Sequence, residues 1–186
     1  MMNNKKDIVR LGKQLAFLLR HDQEAFSKGV IDGNGWRHVR ELCDEQGYSK
    51  DILEEIVATN AKQRYEYNND KTKIRARQGH SIPVDVGLEE EVPPSILWHG
   101  TSSRLYDVIS SEGIKKMSRQ YVHLSGDIET AQDVGKRHVH KGDKVIVFSV
   151  NTQAMHDDGV KFWKSNNGVW LTGYVDPKYL KSSQEY

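Results

Sequence analysis

A chain of 186 residues with 27 Lys and Arg against 26 Asp and Glu carries a formal charge of +1, so it has no global attraction to nucleic acid or to an anionic membrane, and any polyanion site has to be local. Its single cysteine, Cys43, excludes an internal disulfide framework and a cysteine-rich metal cage, and favours a reducing compartment, the cytoplasm by default. The start, MMNNKKDIVRLGK, lacks the apolar run of a signal peptide, and no stretch approaches the roughly 20 apolar residues of a membrane span; a soluble protein is expected, and nothing demands more than a monomer.

In chain order, Ile8, Leu11, Leu15, Leu18 and Leu19 follow helical spacing, which predicts a helix that buries one stripe and ends on Arg20 and His21 at the edge of the core. The Asp32 to Gly35 cluster reads as a turn, and Trp36, Val39, Leu42 and Cys43 give a second helix. A third follows Ser49 as N-cap, with Ile52, Leu53, Ile56 and Val57 as its stripe. RYEYNNDKTKIRAR then reads as two short strands about an Asn68 to Lys71 turn. Three helices followed by a hairpin is the order of a winged helix, spanning residues 1–82. Residues 83–94, acidic and proline-bearing, read as a linker. Beyond them, 95–186 alternates: a strand at SILWHGT, a helix closed near Gly113, a strand at QYVHLS, a helix at DIETAQDVGKRH, a strand at KVIVFSV, and a hairpin turning at Asn166 to Gly168. The expected class is α+β.

No nucleotide-binding glycine fingerprint, Walker loop, HExxH or serine elbow occurs. What stands out is HGT at His99 to Thr101 and VHLS at Val122 to Ser125, each at a strand end where glycine admits close approach and His, Thr and Ser offer hydrogen bonds. The same pattern also fits two satisfied core histidines and a turn glycine, and composition favours that plainer reading. Arg20, Arg75 and Arg119 sit beside apolar or small-residue segments. Converging, their planar forks would clamp a phosphate; scattered, they would be ordinary surface arginines.

Taken together, LLRH, Gly35-Trp36, IRARQGHS, HGT with its following SR, YVHLS, VGKRH and NGVWLT run in order from Lys13 to Thr172, and in this they resemble the tRNA 2'-phosphotransferase family. The resemblance implies an N-terminal winged-helix lobe that binds RNA and a C-terminal lobe of the ADP-ribosyltransferase fold that binds NAD. It implies removal of an internal RNA 2'-phosphate, of the kind left at a tRNA splice junction. The phosphate would attack the ribose carbon that bears nicotinamide, giving a 2'-phospho-ADP-ribosylated RNA; the 2''-hydroxyl would then release ADP-ribose 1'',2''-cyclic phosphate. Arg20, His21, Arg75 and Arg119 match the family's catalytic positions, His21 being the one of titratable type near neutrality. His99, Gly100, Thr101, Ser103, His123, Ser125, Arg137 and Gly168 match its NAD pocket; Lys13, about two turns before Arg20, fits a contact with the RNA backbone and equally a solvated helix position. NAD is the co-substrate, and no metal is implied. Asp22 stands where the family usually has proline, next to the expected clamp. Arg77 stands where a small residue is usual, and is expected to face solvent. Two other functions fit the same residues: an ADP-ribosyltransferase that stops after capping a terminal nucleic-acid phosphate, and a non-enzymatic winged-helix regulator that senses NAD.

Overall fold

The first helix, α1 (Lys5–Arg20), buries Ile8, Leu15, Leu18 and Leu19. These lie near one side at about 100° per residue, so the helix forms by covering a core rather than by propensity alone. It belongs to a computed structural model that describes residues 5–186, and the chain divides into two units, the first ending at Gly87 and the second running Leu88–Tyr186.

In the first unit a short helix, α2 (Gln23–Ser27), follows at once because the Asp22 carboxylate accepts the Ala25 N–H at 3.0 Å as an N-cap. Next come β1 (Arg37–His38) and α3 (Val39–Gln46), which ends at Gly47 in the left-handed region, φ 74°. α4 (Lys50–Thr59) is capped by the Ser49 hydroxyl. β2 (Tyr65–Tyr67) and β3 (Lys73–Ala76) complete an antiparallel sheet of order β1-β3-β2. Leu15, Leu19, Leu42, Leu53 and Ile74 fill the core. Trp36 precedes α3 instead of belonging to it, because Arg37 and His38 are drawn into pairing with β3.

The proline-bearing stretch is shared between the units. Val84 packs with Ala25, Ile31 and Ile82, whereas β4 (Glu89–Glu90) pairs within the second unit.

The second unit is built on β5 (Ile96–Ser102), which runs through a 3-10 turn into α5 (Tyr106–Glu112) and β6 (Ile114–Lys115). β7 (Val122–Leu124), α6 (Ile128–Gly135), β8 (Val145–Asn151) and α7 (Thr152–Asp157) follow. The chain closes with β9 (Phe162–Lys164), β10 (Trp170–Thr172), β11 (Tyr174–Val175) and β12 (Leu180–Glu185). The antiparallel sheets have the orders β12-β8-β5, β4-β9-β10-β7 and β11-β6. Leu97, Leu124, Phe148, Val150, Met155 and Phe162 lie in one core. Trp98 and Ser125 exchange backbone hydrogen bonds of 3.0 and 2.8 Å, which brings the ends of β5 and β7 side by side. α6 lies directly on β5: a Cβ at Gly100 would stand 1.7 Å from the Ala131 carbonyl oxygen, so no larger residue fits there without movement. The molecule is therefore a mixed α/β structure of helices and several small antiparallel sheets. No helix among its described residues is long and apolar enough to cross a membrane.

Candidate functional site

In the first unit, three of the singled-out residues share one neighbourhood. α1 stops where the chain turns, so Arg20 and His21 are presented at its end, both half-buried. The strand-following loop 77–82 packs against them. The Ser81 N–H donates to the Arg20 carbonyl at 3.0 Å, and the Ser81 hydroxyl donates to the same oxygen at 3.4 Å. That hydroxyl lies 3.0 Å from His21 Nδ1. With its own proton directed at that carbonyl, the hydroxyl can accept from Nδ1–H. Gly79, at φ +90°, backs onto Arg20: a Cβ there would stand 3.5 Å from the guanidinium carbon.

Arg75 is held on several sides. Its Nε donates to Glu66 Oε1 at 2.7 Å and its Nη1 to the Asn34 carbonyl at 3.2 Å, while its guanidinium carbon sits 4.3 Å from the Trp36 ring centroid. The antiparallel register that places Glu66 opposite Arg75 makes the carboxylate pair possible. Trp36 is set in turn by Asp32 Oδ1, which accepts its N–H at 2.9 Å. A guanidinium fixed in this way still has Nη donors to give to an anion, and its direction is set in advance.

One expectation is corrected here. Arg77 does not face solvent; its Nε lies 3.2 Å from Glu66 Oε2, so Glu66 bridges both arginines, as side chains two apart on an extended segment permit. The Asp22 side chain is engaged within the first unit. Its carboxylate caps α2 and accepts from Arg37 Nη1 at 3.0 Å, and Arg37, fully buried, also pairs with Glu41 and donates to the Leu18 carbonyl.

His80, which sequence reasoning did not single out, is 2 % exposed. Burial, reinforced by Arg20, His21 and Arg75, pushes its pKa down to about 3, so it packs among these cations as a neutral ring. Its Nε2 is buried with no hydrogen-bond partner, 3.5 Å from where a Cβ on Gly35 would stand. Lys13 is exposed on the outer side of α1.

In the second unit the two strand ends do meet. His99 Nδ1 donates to the His123 carbonyl at 3.1 Å, and His123 Nδ1 donates to the Tyr121 carbonyl at 3.0 Å. Burial lowers the His99 pKa against the opposing pull of that hydrogen bond, with His138 and Arg119 adding to the fall. His99 is therefore neutral at pH 7 and offers an Nε2 lone pair. Thr101 is buried beside Gly135, and Ser125 is tied to Trp98. The Ser103 hydroxyl accepts the Lys144 N–H at 3.1 Å and so holds the start of β8. Arg119 is depressed by desolvation, and no carboxylate pairs with it among the described residues. It lies close enough to lower His138, whose own burial is the larger cause and to which Arg137 also contributes. His138 was missed as a candidate, although it ends the VGKRH motif. Gly168, at φ +80°, lies exposed on the β9–β10 turn, its N–H donating to the Ser165 carbonyl.

Residues 6–174 match the family model described as RNA 2'-phosphotransferase, Tpt1 / KptA family. The chain belongs to this family. Over 178 residues it is 48% identical to a probable RNA 2'-phosphotransferase of Fusobacterium nucleatum subsp. nucleatum, covering 93% of this chain and 97% of that one. A protein of the same description from Flavobacterium johnsoniae is 47% identical over 183 residues, 96% of this chain and 98% of its own. Another, from Escherichia coli O6:K15:H31, is 41% identical over 184 residues, 96% and 97% of the two chains. RNA 2'-phosphotransferases are transferases, and this member is an enzyme of that kind.

Proposed function

We propose that this member of the family removes an internal 2'-phosphate from RNA with NAD as acceptor. The first unit would be a winged-helix lobe that binds RNA, and the second an ADP-ribosyltransferase-like lobe that binds NAD. The observation that carries this reading is the grouping of Arg20, His21 and Arg75, held by Ser81, Glu66, Asn34 and Trp36. The antiparallel sheet β1-β3-β2, with β1 between α2 and α3 and the β2–β3 hairpin after α4, supports the winged helix.

NAD supplies an electrophilic ribose carbon with nicotinamide as leaving group. The donor set of the second unit suits it: a neutral His99 with an open Nε2 can accept from a ribose hydroxyl, and Arg137 can meet pyrophosphate oxygens. Gly100, Thr101, Ser103, His123, Ser125 and Gly168 would complete the pocket, and no metal takes part.

A phosphate monoester has a second pKa near 6 and is already an anionic nucleophile at pH 7. The first step therefore needs orientation more than a base. Arg20, Arg75 and Arg119 would fix the phosphate and balance the charge that moves during the reaction. The second step, attack by a hydroxyl with departure of an RNA 2'-oxygen, moves protons on both oxygens, and His21 is the group we assign to carry them. The substrate would be an RNA of the tRNA splice-junction type, handled in the cytoplasm by a monomer.

The test is release of nicotinamide from NAD in the presence of a short RNA with or without one internal 2'-phosphate. The reading expects release only with the phosphorylated RNA, with loss of that phosphate. RNA that keeps ADP-ribose as the end product would point to a capping transferase instead, and binding of NAD without release would contradict both.

A further inference from the structure

The outward side of α1 has a composition that its packing does not explain. Ile8, Leu15, Leu18 and Leu19 complete the buried stripe, yet on the opposite side Phe17 is 57 % exposed and Val9 55 %. At about 100° per residue, Lys6, Arg10, Lys13 and Phe17 fall on one narrow stripe of that outward side. Continued one turn, the stripe arrives at Arg20 and His21. The three cations are exposed, and the one acid on the helix, Asp7, lies 4.0 Å from Arg10. The Phe17 ring sits 6.1 Å from the His21 ring, tilted by 48°.

We propose that this stripe is a docking track for single-stranded RNA. The base of the nucleotide next to the one that bears the 2'-phosphate stacks on Phe17, and the phosphates beyond it meet Lys13 and Arg10. The proposal rests on the function proposed above and specifies which side of the substrate the protein grips. An exposed aromatic flanked by cations suits a strand of any sequence, because every base has a π face and every nucleotide a charge. The rise of an α-helix puts Lys13 about 6 Å and Arg10 about 10 Å from Phe17 along the axis, so successive contacts follow the strand away from His21. Val9 and Phe17 are separated by Lys13 and Arg10 on this face, which does not make the continuous apolar surface that a membrane or a helical protein partner needs.

The experiment is equilibrium binding, without NAD, of a 2'-phosphorylated oligoribonucleotide to the full chain and to Phe17→Ala, Phe17→Trp and Lys13→Glu, read by anisotropy of a labelled RNA. The track predicts that Phe17→Ala weakens binding about tenfold or more, and that Phe17→Trp keeps it and adds tryptophan fluorescence that RNA quenches whatever the neighbouring base. Lys13→Glu should weaken binding and flatten its salt dependence. Shortening the RNA to the phosphorylated nucleotide should erase the difference between wild type and Phe17→Ala. Wild-type affinity of Phe17→Ala for the long RNA, an unquenched Phe17→Trp, or an equal loss on the single nucleotide each overturns the track. Because binding is read without turnover, a chain that grips RNA on Phe17 yet never releases nicotinamide would leave the track standing and the proposed reaction fallen.

Discussion

Arg75 and Arg119 are each proposed to meet a phosphate, yet the protein treats them differently. Arg75 gives its Nε to Glu66 and its Nη1 to the Asn34 carbonyl and is covered on one face by Trp36. Arg119 has no carboxylate partner among the described residues and is depressed by desolvation alone. Around Arg75 and Arg20 the sequence supplies a neutral His80 where a further charge would have been costly; around Arg119 the neighbours His99 and His138 also have lowered pKa values. One unit braces its arginine with a carboxylate, a carbonyl and an indole, and the other buries its arginine with no carboxylate beside it among the described residues.

The largest expected effect is at the group assigned to move protons. Replacing His21 by Ala should slow complete phosphate removal by about 10²–10⁴, with RNA that still carries ADP-ribose accumulating in a mass spectrum; clean conversion to dephosphorylated RNA would remove His21 from the second step. The scaffold beneath it comes next. Arg37→Ala strands the Asp22 and Glu41 carboxylates and should cost about 3–5 kcal/mol in urea unfolding, whereas a loss near zero would mean that the ion pairs do not brace the end of α1.

The comparison itself is sharpened by paired lysine variants. Arg75→Lys loses the fork to Glu66 and Asn34 and the stack on Trp36, and should cost about 10²–10³ in kcat. Arg119→Lys keeps its charge and has no such contacts to lose, so it should cost less. Equal losses would erase the distinction between a held and an unheld arginine.

The smallest effect is a pH slope. His80 titrates near 6.5 when unfolded and near 3 when folded, so the unfolded chain binds the extra proton first. Its stabilising contribution is present above pH 6.5 and is lost as pH falls toward 3, at up to about 1.4 kcal/mol per unit. Chemical denaturation of His80→Gln between pH 7 and 4.5 should show a shallower decline than wild type; parallel declines would assign the acid sensitivity elsewhere, with His99 the next group to replace.

Much of the first unit was legible in the sequence. Leucine spacing located the end of α1, Ser49 announced the cap of α4, and the Asn68 to Lys71 turn marked the hairpin, because each is a local signal. α2 and β1 were not legible. A five-residue helix has no period to detect, and a two-residue strand exists only through its pairing with β3. The meeting of the HGT and VHLS strand ends depended on the Trp98–Ser125 bridge, which no local pattern encodes. Glu66 escaped for the same reason: nine residues from Arg75, it becomes a partner through strand register alone. Arg77 was misread as solvated because alternation gives the side of a strand and not the partner waiting there.

The most direct test is one turnover of the protein with NAD and an RNA carrying a single internal 2'-phosphate, with all three products weighed. The account predicts RNA ending in a 2'-hydroxyl at that position, matched one for one by nicotinamide and ADP-ribose cyclic phosphate. Loss of the phosphate as free inorganic phosphate, with NAD intact, would contradict it.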